Sequence, residues 1–401
     1  MSKLPSYQEA LANALEVVQK TSSTSTVPIE SSLGCFVAND VIADRNFPPY
    51  NRSQMDGFAV VASEVKKDVS MNIIGQISAG TTFEGKRTPN TCVAIATGAP
   101  VPNSFDAVVQ HELTDNGKKQ VTFHCDKVPV GKAIHVQGVD AKTGDVLVAK
   151  HTRLAPQHIG IAASVGVHQI EVLSKPKIVV LTSGDEVVPP NETPLAHQIR
   201  NGNSAMISSA FNSMGCDVIE AHHVLDDPDA TNRAIASSLD GRCDLVVTIG
   251  GISAGKRDFF PGAFANSGVQ LAVKGASIQP GKPVIVGKHA KTVVLGLPGN
   301  PVSALACCCV FGWPIVRMMQ GMSALLPWQQ IPLACNVQPN PHRLCFRPCQ
   351  LVNEKVTVPT WQGSGDLVHT ATTHGLVQLP ASSVEIQASE LVSCLAFPFS
   401  K

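Results

Sequence analysis

The sequence has little charge and no excess of either sign. Among its 401 residues, 31 are Lys or Arg, 31 are Asp or Glu, and charged residues make up 15%. A formal net charge of zero gives no basic field of the kind that holds a protein on nucleic acid or on an anionic membrane. We therefore expect no nucleic-acid and no membrane partner, and local geometry has to bind any anionic ligand.

Aromatic residues are also few, at 5%, but hydrophobic residues reach 44%. That balance excludes disorder over most of the length. No period of roughly 20–50 residues recurs, so repeat architectures are excluded as well. A chain of 401 residues predicts two to four domains, since domains hold roughly 100–200 residues each.

The sequence also shows no pattern typical of a signal peptide or a membrane span. The N-terminus leads into a helix opened by a capping box, Ser6 with Glu9, and it lacks the apolar core of a signal peptide. The longest apolar run, 302–316, is shorter than the roughly 20 residues of a membrane span and contains Pro314. We therefore expect a cytoplasmic protein.

The twelve cysteines do not form a disulfide framework, because they are spread over a long chain and three of them, residues 307–309, are adjacent. Those three are expected to fill a buried helix. His342, Cys345 and Cys349 lie close together, but no CxxC pair accompanies them, so a structural zinc site is not expected.

Patterns of apolar residues divide the chain. Short β-rich runs between turns fill 41–140, after a helix over 6–20 and before a helix over 155–165 that is expected to pack on it. From 178 onwards strands alternate with helices, as in a parallel sheet covered on both faces. Beyond 327 short strands return, which indicates a β-barrel or a sandwich.

Polar or glycine-rich loops follow the strands of the α/β region, at the edge where such sheets bind ligands. Asp185 and Glu186 suit a cation or a ligand hydroxyl, or they form a solvated turn. Residues 248–258 contain three glycines and Ser253, and so could form a nest of N–H groups for an oxyanion. Asp258 in that segment bridges to a metal or ligand hydroxyl, or opens a helix.

Two further loops allow two interpretations each. Residues 298–301, with Asn300 as N-cap and Pro301 as first helical residue, start a helix or hold N–H groups against a substrate. Residues 48–58 carry the donors Asn51, Arg52 and Ser53 on a loop that could equally be a hairpin tip.

Taken in order, these loops resemble the molybdopterin molybdenumtransferase family, which comprises the MoeA proteins and the E domain of gephyrin-type proteins. The most specific matches are Met55-Asp56-Gly57 and the segment 296–304, Gly-Leu-Pro-Gly-Asn-Pro-Val-Ser-Ala. The other matching segments are 97–100, 138–144, 183–186, 226–228, 250–258, 280–283 and 362–365.

The resemblance implies a multidomain α/β plus β protein of four domains. These are a discontinuous N-terminal helical and β domain (1–42 and 141–172), a β-rich insertion domain (43–140), a MogA-like doubly wound α/β domain (173–326) and a C-terminal β-barrel (327–401). It also implies a homodimer whose cleft takes residues from both subunits.

The same resemblance implies an enzyme of molybdenum cofactor biosynthesis. Adenylylated molybdopterin is hydrolysed, AMP leaves, and molybdate is ligated by the pterin dithiolene, with Mg²⁺ taking part. A transfer complex with molybdopterin adenylyltransferase and apo-molybdoenzymes is a further implied partner.

The family positions carry over residue by residue. The catalytic acidic positions are Asp56, Asp140, Glu186, Asp226 and Asp258, of which Glu186 and Asp258 are assigned to the metal. The positions assigned to substrate are Thr97, Gly250, Gly251, Ser253, Lys274, Lys282, Pro283, Pro298, Asn300, Pro301, Arg347 and Ser364.

Departures from the family pattern change charge at several of these loops. Gln279 stands where a Lys usually precedes Pro-Gly-Lys, and Asn201-Gly202-Asn203 replaces Asp-Ser/Thr-Asn. An arginine-rich stretch is missing before Asp140. The alternative hypothesis is therefore a diverged, non-catalytic molybdopterin-binding or chaperone paralogue.

Overall fold

The computed structural model describes residues 4–20, 23–253, 255, 257–360 and 363–399. Two compact units are present: Met1–Ser25 together with Leu173–Lys401, and Thr26–Val172. Ala254, Lys256 and Gln362, which belong to two of the motifs above, lie outside the described residues.

Most of the α-helices of the described residues lie in the second half of the chain. In order, the α-helices are α1 (Tyr7–Glu16), α2 (Pro156–Ser164), α3 (Gly202–Ser213), α4 (Pro228–Ser238), α5 (Phe260–Asn266), α6 (Pro301–Cys307) and α7 (Trp313–Met319). The strands up to residue 173 are β1 (Thr24–Pro28), β2 (Val41–Ile42), β3 (Arg52–Ser53), β4 (Gly57–Val60), β5 (Ser70–Ile77), β6 (Thr91–Ile95), β7 (Ala107–Gln110), β8 (Gln120–Thr122), β9 (Ile134–His135), β10 (Val146–Val148) and β11 (Gln169–Leu173).

The later strands belong to two large sheets and one small one. They are β12 (Lys177–Ser183), β13 (Val187–Val188), β14 (Ile199–Arg200), β15 (Asp217–Val224), β16 (Leu245–Ile249), β17 (Gln270–Lys274), β18 (Ile278–Gln279), β19 (Ile285–His289), β20 (Thr292–Leu297), β21 (Gln329–Pro332), β22 (Leu344–Val352), β23 (Lys355–Thr357), β24 (Gly375–Leu379) and β25 (Leu391–Ala396).

The unit Thr26–Val172 is built on β-structure. Its five-stranded sheet has the order β7-β4-β6-β5-β8 and buries Phe58, Met71 and Phe123 on one face. A separate small core around Val37, Val148 and α2 completes the unit. The predicted β-rich runs and the helix near 155–165 are therefore present.

The prediction that α2 packs on the N-terminal helix is wrong. Helix α1 is opened by the predicted capping box of Ser6 and Glu9, but Tyr7, Ala10 and Ala14 are buried in the core of the other unit. Helix α1 contacts α7 and β17 instead, and its small Ala10 and Ala14 side chains are buried there. The unit with α2 consequently begins at Thr26.

The larger unit contains a six-stranded sheet of order β15-β12-β16-β20-β19-β17. The first four strands are parallel, with Ile178 opposite Leu245 and Leu245 opposite Val293, as predicted. Strands β19 and β17 are antiparallel, which the sequence did not indicate. The two-residue turn between β19 and β20 uses Ala290 at a φ of +50°, where a hairpin usually shows Gly or Asn.

Both faces of this sheet are covered. Alternate residues such as Val180 and Val247 pack under α1, α3, α6 and α7. Their neighbours Val179 and Val246 pack under α4 and α5. Strands buried on both faces have continuous apolar sequences, which is why these four strands could be located from the sequence.

One long core helix runs from Pro301 to Met319 as α6, a π-helical turn Cys308–Gly312, and α7. It is apolar and long enough to cross a membrane by length and composition, but 83% of it is buried inside the protein. Pro314 has no N–H to donate to the carbonyl of Val310 four residues earlier. The Tyr7 hydroxyl donates to that carbonyl instead, at 3.0 Å.

The C-terminal residues together with β18 form a sheet of order β18-β22-β24-β25-β21, with β23 paired to β22. It has its own small core, which includes Leu333, Val377 and Val392. Phe346 and Leu376 extend from this sheet into the core of the α/β region. Loops of the C-terminal sheet therefore lie beside those of the α/β sheet.

Candidate functional site

A cavity of about 1110 Å³ lies at the carboxyl edge of the parallel strands of the larger unit. The loops that follow β12, β15, β16 and β20 line it, together with 279–283, Arg343 and 363–367. The predicted residues that line the cavity are Glu186, Asp226, Asp258, Gly250, Gly251, Ser253, Lys282, Pro283, Pro298, Asn300, Pro301 and Ser364. Twelve predicted positions thus converge on one pocket.

One part of the pocket, which we call the acidic half, is formed by Glu186, Asp226 and Asp258 after three neighbouring strands. Burial raises the pKa of Asp226, and the nearby Asp185 and Glu186 carboxylates raise it further. Asp185 ties two of these loops together, because it accepts from the Asp226 N–H at 3.2 Å and from Arg257 Nη1 at 3.0 Å. The acidic half is therefore a site of concentrated negative charge.

Glycines and a hydrogen bond within the loop fix the conformation of the loop after β16. Gly250 and Gly251 have φ angles of +83° and +58°, which favour glycine. A β-carbon on Gly251 would approach the Ser183 hydroxyl to 2.7 Å. The carboxylate of Asp258 accepts from the Gly255 N–H at 2.7 Å, so its role in the free protein is a loop contact and not a cap of α5, whose N-cap is Phe259.

One expected anion donor is already engaged. The N–H of Gly250 donates to the carbonyl of Leu297 at 3.0 Å, continuing the ladder between β16 and β20. It is therefore not available to a phosphate in this structure. Gly250 instead allows two loops to pass closely, since its β-carbon would meet the Ser183 carbonyl at 3.3 Å.

The other part of the pocket, which we call the basic half, contains Lys282 and Arg343. Lys282 follows Gly281, whose φ is +106° and whose β-carbon would overlap the sulfur of Cys307. Glycine is thus required where this loop crosses the core helix. Arg343 Nη1 donates to the carbonyl of Ile278 at 3.5 Å, which brings the C-terminal sheet to the pocket.

Asn300 and Ser364 join the same region. Asn300 stands at the N-cap position of α6 without capping it. Its Nδ2 donates to Ser364 Oγ at 2.8 Å, and the carbonyl of Ser364 accepts from the Val302 N–H at 3.0 Å. The residues at the start of the core helix therefore form a turn and are also hydrogen-bonded to the loop 363–367.

Lys274 and Arg347 do not line this cavity in the part of the chain that the structure describes. Lys274 is exposed at the end of β17. Arg347 lies within β22, where burial lowers its pKa. Arg200, Arg257 and Arg343 also line the cavity, although none of them was a predicted site residue. Arg257 lies within the predicted loop 250–258, whereas Arg343 reaches the cavity through the pairing of β18 with β22.

Three predicted residues belong to the unit Thr26–Val172. Asp56 Oδ1 accepts from the Thr97 N–H at 2.8 Å, so these two lie together. Asp140 lies 2.9 Å from His135 Nε2, and His135 Nδ1 lies 3.2 Å from Arg52 Nη2. Arg52 pairs with His135 in the short β3–β9 ladder.

The carboxylates of the acidic half suit a Mg²⁺ ion whose coordination is completed by a bound ligand and water. Among the described residues no group of three His, Cys, Asp or Glu side chains is arranged to hold a metal. Mg²⁺ in phosphate-binding sites takes one or two carboxylates, substrate phosphate oxygens and waters. Glu186 and Asp258 can supply those carboxylates, so the pocket fits an ion that is shared with a ligand.

Comparisons with known proteins agree with this geometry. Residues 5–166 match the family model described as "MoeA N-terminal region (domain I and II)". Residues 179–318 match the model described as "Probable molybdopterin binding domain". The chain is 31% identical over 376 residues to molybdopterin molybdenumtransferase 2 of Mycobacterium tuberculosis, covering 90% of this chain and 92% of that protein.

The chain belongs to the molybdopterin molybdenumtransferase family. Another member, the enzyme of Synechocystis sp., is 28% identical over 400 residues, which cover 97% of this chain and 99% of that protein. A solved member, the molybdopterin biosynthesis MoeA protein of Pyrococcus horikoshii, superposes with a TM-score of 0.83 at 27% identity, covering 98% and 99% of the two chains. The predicted family is confirmed.

Proposed function

We propose that this family member is an enzyme of molybdenum cofactor biosynthesis that inserts molybdate into adenylylated molybdopterin and releases AMP. The observation that carries the proposal is the union of an acidic and a basic half in one cavity of about 1110 Å³. A diphosphate and an oxyanion each need positive charge, and carboxylates suit a cation that is bound with them. The names of the curated relatives support the same activity.

The proposed reaction breaks the phosphoanhydride bond of the adenylylated pterin. The oxygen of a water molecule bonds to the phosphorus of the pterin phosphate, the water proton passes to a carboxylate of the acidic half, and the bridging oxygen departs with AMP. Glu186 and Asp226 are suitably placed to orient that water, and Asp226 holds a proton more readily than an ordinary Asp because burial raises its pKa. Mg²⁺, held by Glu186 and Asp258, would neutralise charge on the phosphates.

The basic half is proposed to bind molybdate. Lys282 and Arg343 supply positive charge, and Ser364 with the Asn300 amide supplies neutral donors. Lys282 would also stabilise the charge that develops on the phosphates during AMP release. We assign Arg343 here in place of Arg347, since Arg343 lines the cavity. Charged donors of this kind stabilise an oxyanion most strongly where little water competes.

The remaining predicted residues are proposed to act across a homodimer. Asp56, Thr97 and Asp140 would contribute to a cleft completed by a second copy of the chain, and Lys274 would contact substrate there. A transfer complex with molybdopterin adenylyltransferase and with apo-molybdoenzymes is part of the same proposal, as is a cytoplasmic location.

The four-domain division 1–42 with 141–172, 43–140, 173–326 and 327–401 is also a proposal, with a MogA-like domain at 173–326. Closure of the C-terminal sheet into a barrel is supported by a bridge between Leu333, next to β21, and Val356 of β23. That bridge links the strand at one end of the sheet to a strand at the other.

The test is a reconstituted reaction. Purified protein, adenylylated molybdopterin, molybdate and Mg²⁺ are expected to give AMP and molybdenum-loaded cofactor, measured by chromatography and by activation of an apo-molybdoenzyme. Pterin binding without AMP release would overturn the proposal in favour of the non-catalytic paralogue, which the changes at Gln279 and 201–203 would then explain. Glu186→Gln is the comparison variant, and it is expected to slow AMP release when Mg²⁺ is limiting.

A further inference from the structure

The C-terminal sheet meets the pocket through a small hydrogen-bond network around Gln279. Strand β18 pairs in parallel with β22, so that Gln279 lies opposite Cys345. Asn340 Nδ2 donates to Gln279 Oε1 at 2.5 Å, and the Cys345 thiol donates to the same oxygen at 3.5 Å. Gln279 and Arg343 both line the cavity, next to Lys282.

The direction of these bonds is fixed by the backbone. Asn340 Oδ1 accepts from the N–H groups of His342 and Arg343, at 2.7 and 3.0 Å. Backbone N–H groups can only donate, so this end of the Asn340 amide must be oxygen and the other end must be NH₂. Residue 279 must therefore present an acceptor, which Gln can do and Lys cannot.

The same network sets the position of Arg343. Asn340 folds the residues 340–343 into an Asx turn, and its main-chain carbonyl accepts from the Ser382 N–H at 3.0 Å. Arg343 then reaches the Ile278 carbonyl on the strand that carries Gln279. The turn is thus held on one side by the C-terminal sheet and on the other side by Gln279.

We propose that Gln279 is a positioning residue, which through Asn340 holds Arg343 at the basic half of the pocket. This inference rests on the proposed function for its anion, and it explains the neutral residue at 279 as an acceptor rather than as a lost cation. In this chain Arg343 with Lys282 supplies the positive charge. A lysine at 279 would add charge but would put two donors face to face.

The test compares molybdate binding by equilibrium dialysis with molybdenum analysis, for the full chain and its variants. Gln279→Met and Gln279→Lys are both expected to weaken binding by about 3- to 10-fold, the equivalent of one neutral hydrogen bond. In the double variant Gln279→Lys with Asn340→Asp, a donor at 279 again faces an acceptor at 340, and the net charge is the original one. Its dissociation constant is therefore expected within about 2-fold of that of the unchanged chain. Tighter binding by Gln279→Lys alone would overturn the proposal.

A double-mutant cycle separates positioning from a general loss of structure. In the Arg343→Ala background, Gln279→Met is expected to change molybdate affinity by less than about 1.5-fold, because the group it positions is gone. A merely structural role would weaken binding equally in both backgrounds. Gln338→Lys is the matched control: Gln338 is exposed and donates to the Ser383 carbonyl, so this added charge is expected to leave affinity unchanged.

Crystal structures of the unchanged chain and of Gln279→Lys decide the placement independently of ligand. The Asn340–Arg343 turn is expected to move away from β18 in the variant, and an unmoved turn and guanidinium would refute the inference. If the unchanged chain binds no molybdate, the proposed function fails, while the dependence of the turn on residue 279 is still decided by these structures.

Discussion

The two halves of the pocket are built in different ways. Glu186, Asp226 and Asp258 lie on the loops that follow three neighbouring strands, so their approach follows from the order of the sheet. Lys282 and Arg343 meet only because β18 pairs with β22, and Ser364 joins them through Asn300. The acidic half is therefore set by local sequence and the basic half by long-range register. A substitution in one half should affect the ligand of that half more than the ligand of the other.

The largest effect should come from the basic half. We expect Lys282→Ala to lower the rate of AMP release by about 100- to 1000-fold, as loss of a cation at a developing phosphate charge does. Lys291→Ala is the matched control and should change the rate by less than about 2-fold, because Lys291 is exposed in the turn between β19 and β20 and does not line the cavity in the described residues. Initial rates for both variants measure this, and equal losses would refute a special role for Lys282 in the reaction.

The second test compares two arginines four positions apart. Arg343→Ala should weaken molybdate binding by about 10- to 100-fold, because charged hydrogen bonds are lost. Arg347→Ala should instead lower the melting temperature, since the half-buried Arg347 side chain lies within β22 of the C-terminal sheet and truncation removes its packing contacts. Dialysis and thermal melts measure the two variants. If Arg347→Ala weakened molybdate binding and Arg343→Ala only lowered the melting temperature, Arg347 and not Arg343 would be the residue that binds molybdate.

The third test acts on the acidic half. Glu186→Gln should raise the Mg²⁺ concentration needed for half-maximal AMP release by about 10-fold, as removal of one carboxylate ligand does. Molybdate affinity should stay within about 2-fold of the unchanged chain, because the basic half is intact. Titration of Mg²⁺ at saturating pterin checks the first value. A larger effect on molybdate affinity than on the Mg²⁺ requirement would show that the acidic and basic halves do not act separately.

The smallest effect concerns Asp226 and pH. Burial, and then the neighbouring Asp185 and Glu186, raise the pKa of Asp226 above its usual 3.8, so ionising this group costs folding free energy. That cost is absent below about pH 4 and grows as pH rises through the raised pKa. Asp226→Asn should therefore melt at a higher temperature at pH 7, and the gain should vanish near pH 4. A gain that is independent of pH would remove the electrostatic explanation.

Local sequence signals account for the strands of the parallel sheet, the capping box on α1 and the acidic half of the pocket. They do not account for Arg343, because a one-dimensional pattern gives no register between β18 and β22. They also do not show that the Gly250 N–H is used by Leu297, since that bond joins two strands about fifty residues apart. In both cases pairing over distance is what the sequence does not show. The hairpin of β19 and β20 is local, but its turn carries Ala290 at a φ of +50° in place of the usual Gly or Asn.

The hydroxyl of Tyr7 has a consequence for the ends of the chain. By completing the hydrogen bond that Pro314 cannot make to Val310, it links the docking of the first helix to the integrity of the core helix. That core helix begins at Pro301, beside the pocket. An extension or deletion that dislodges the N-terminus would remove the Tyr7 donor from this buried carbonyl, and the disturbance would reach the ligand site through the helix itself.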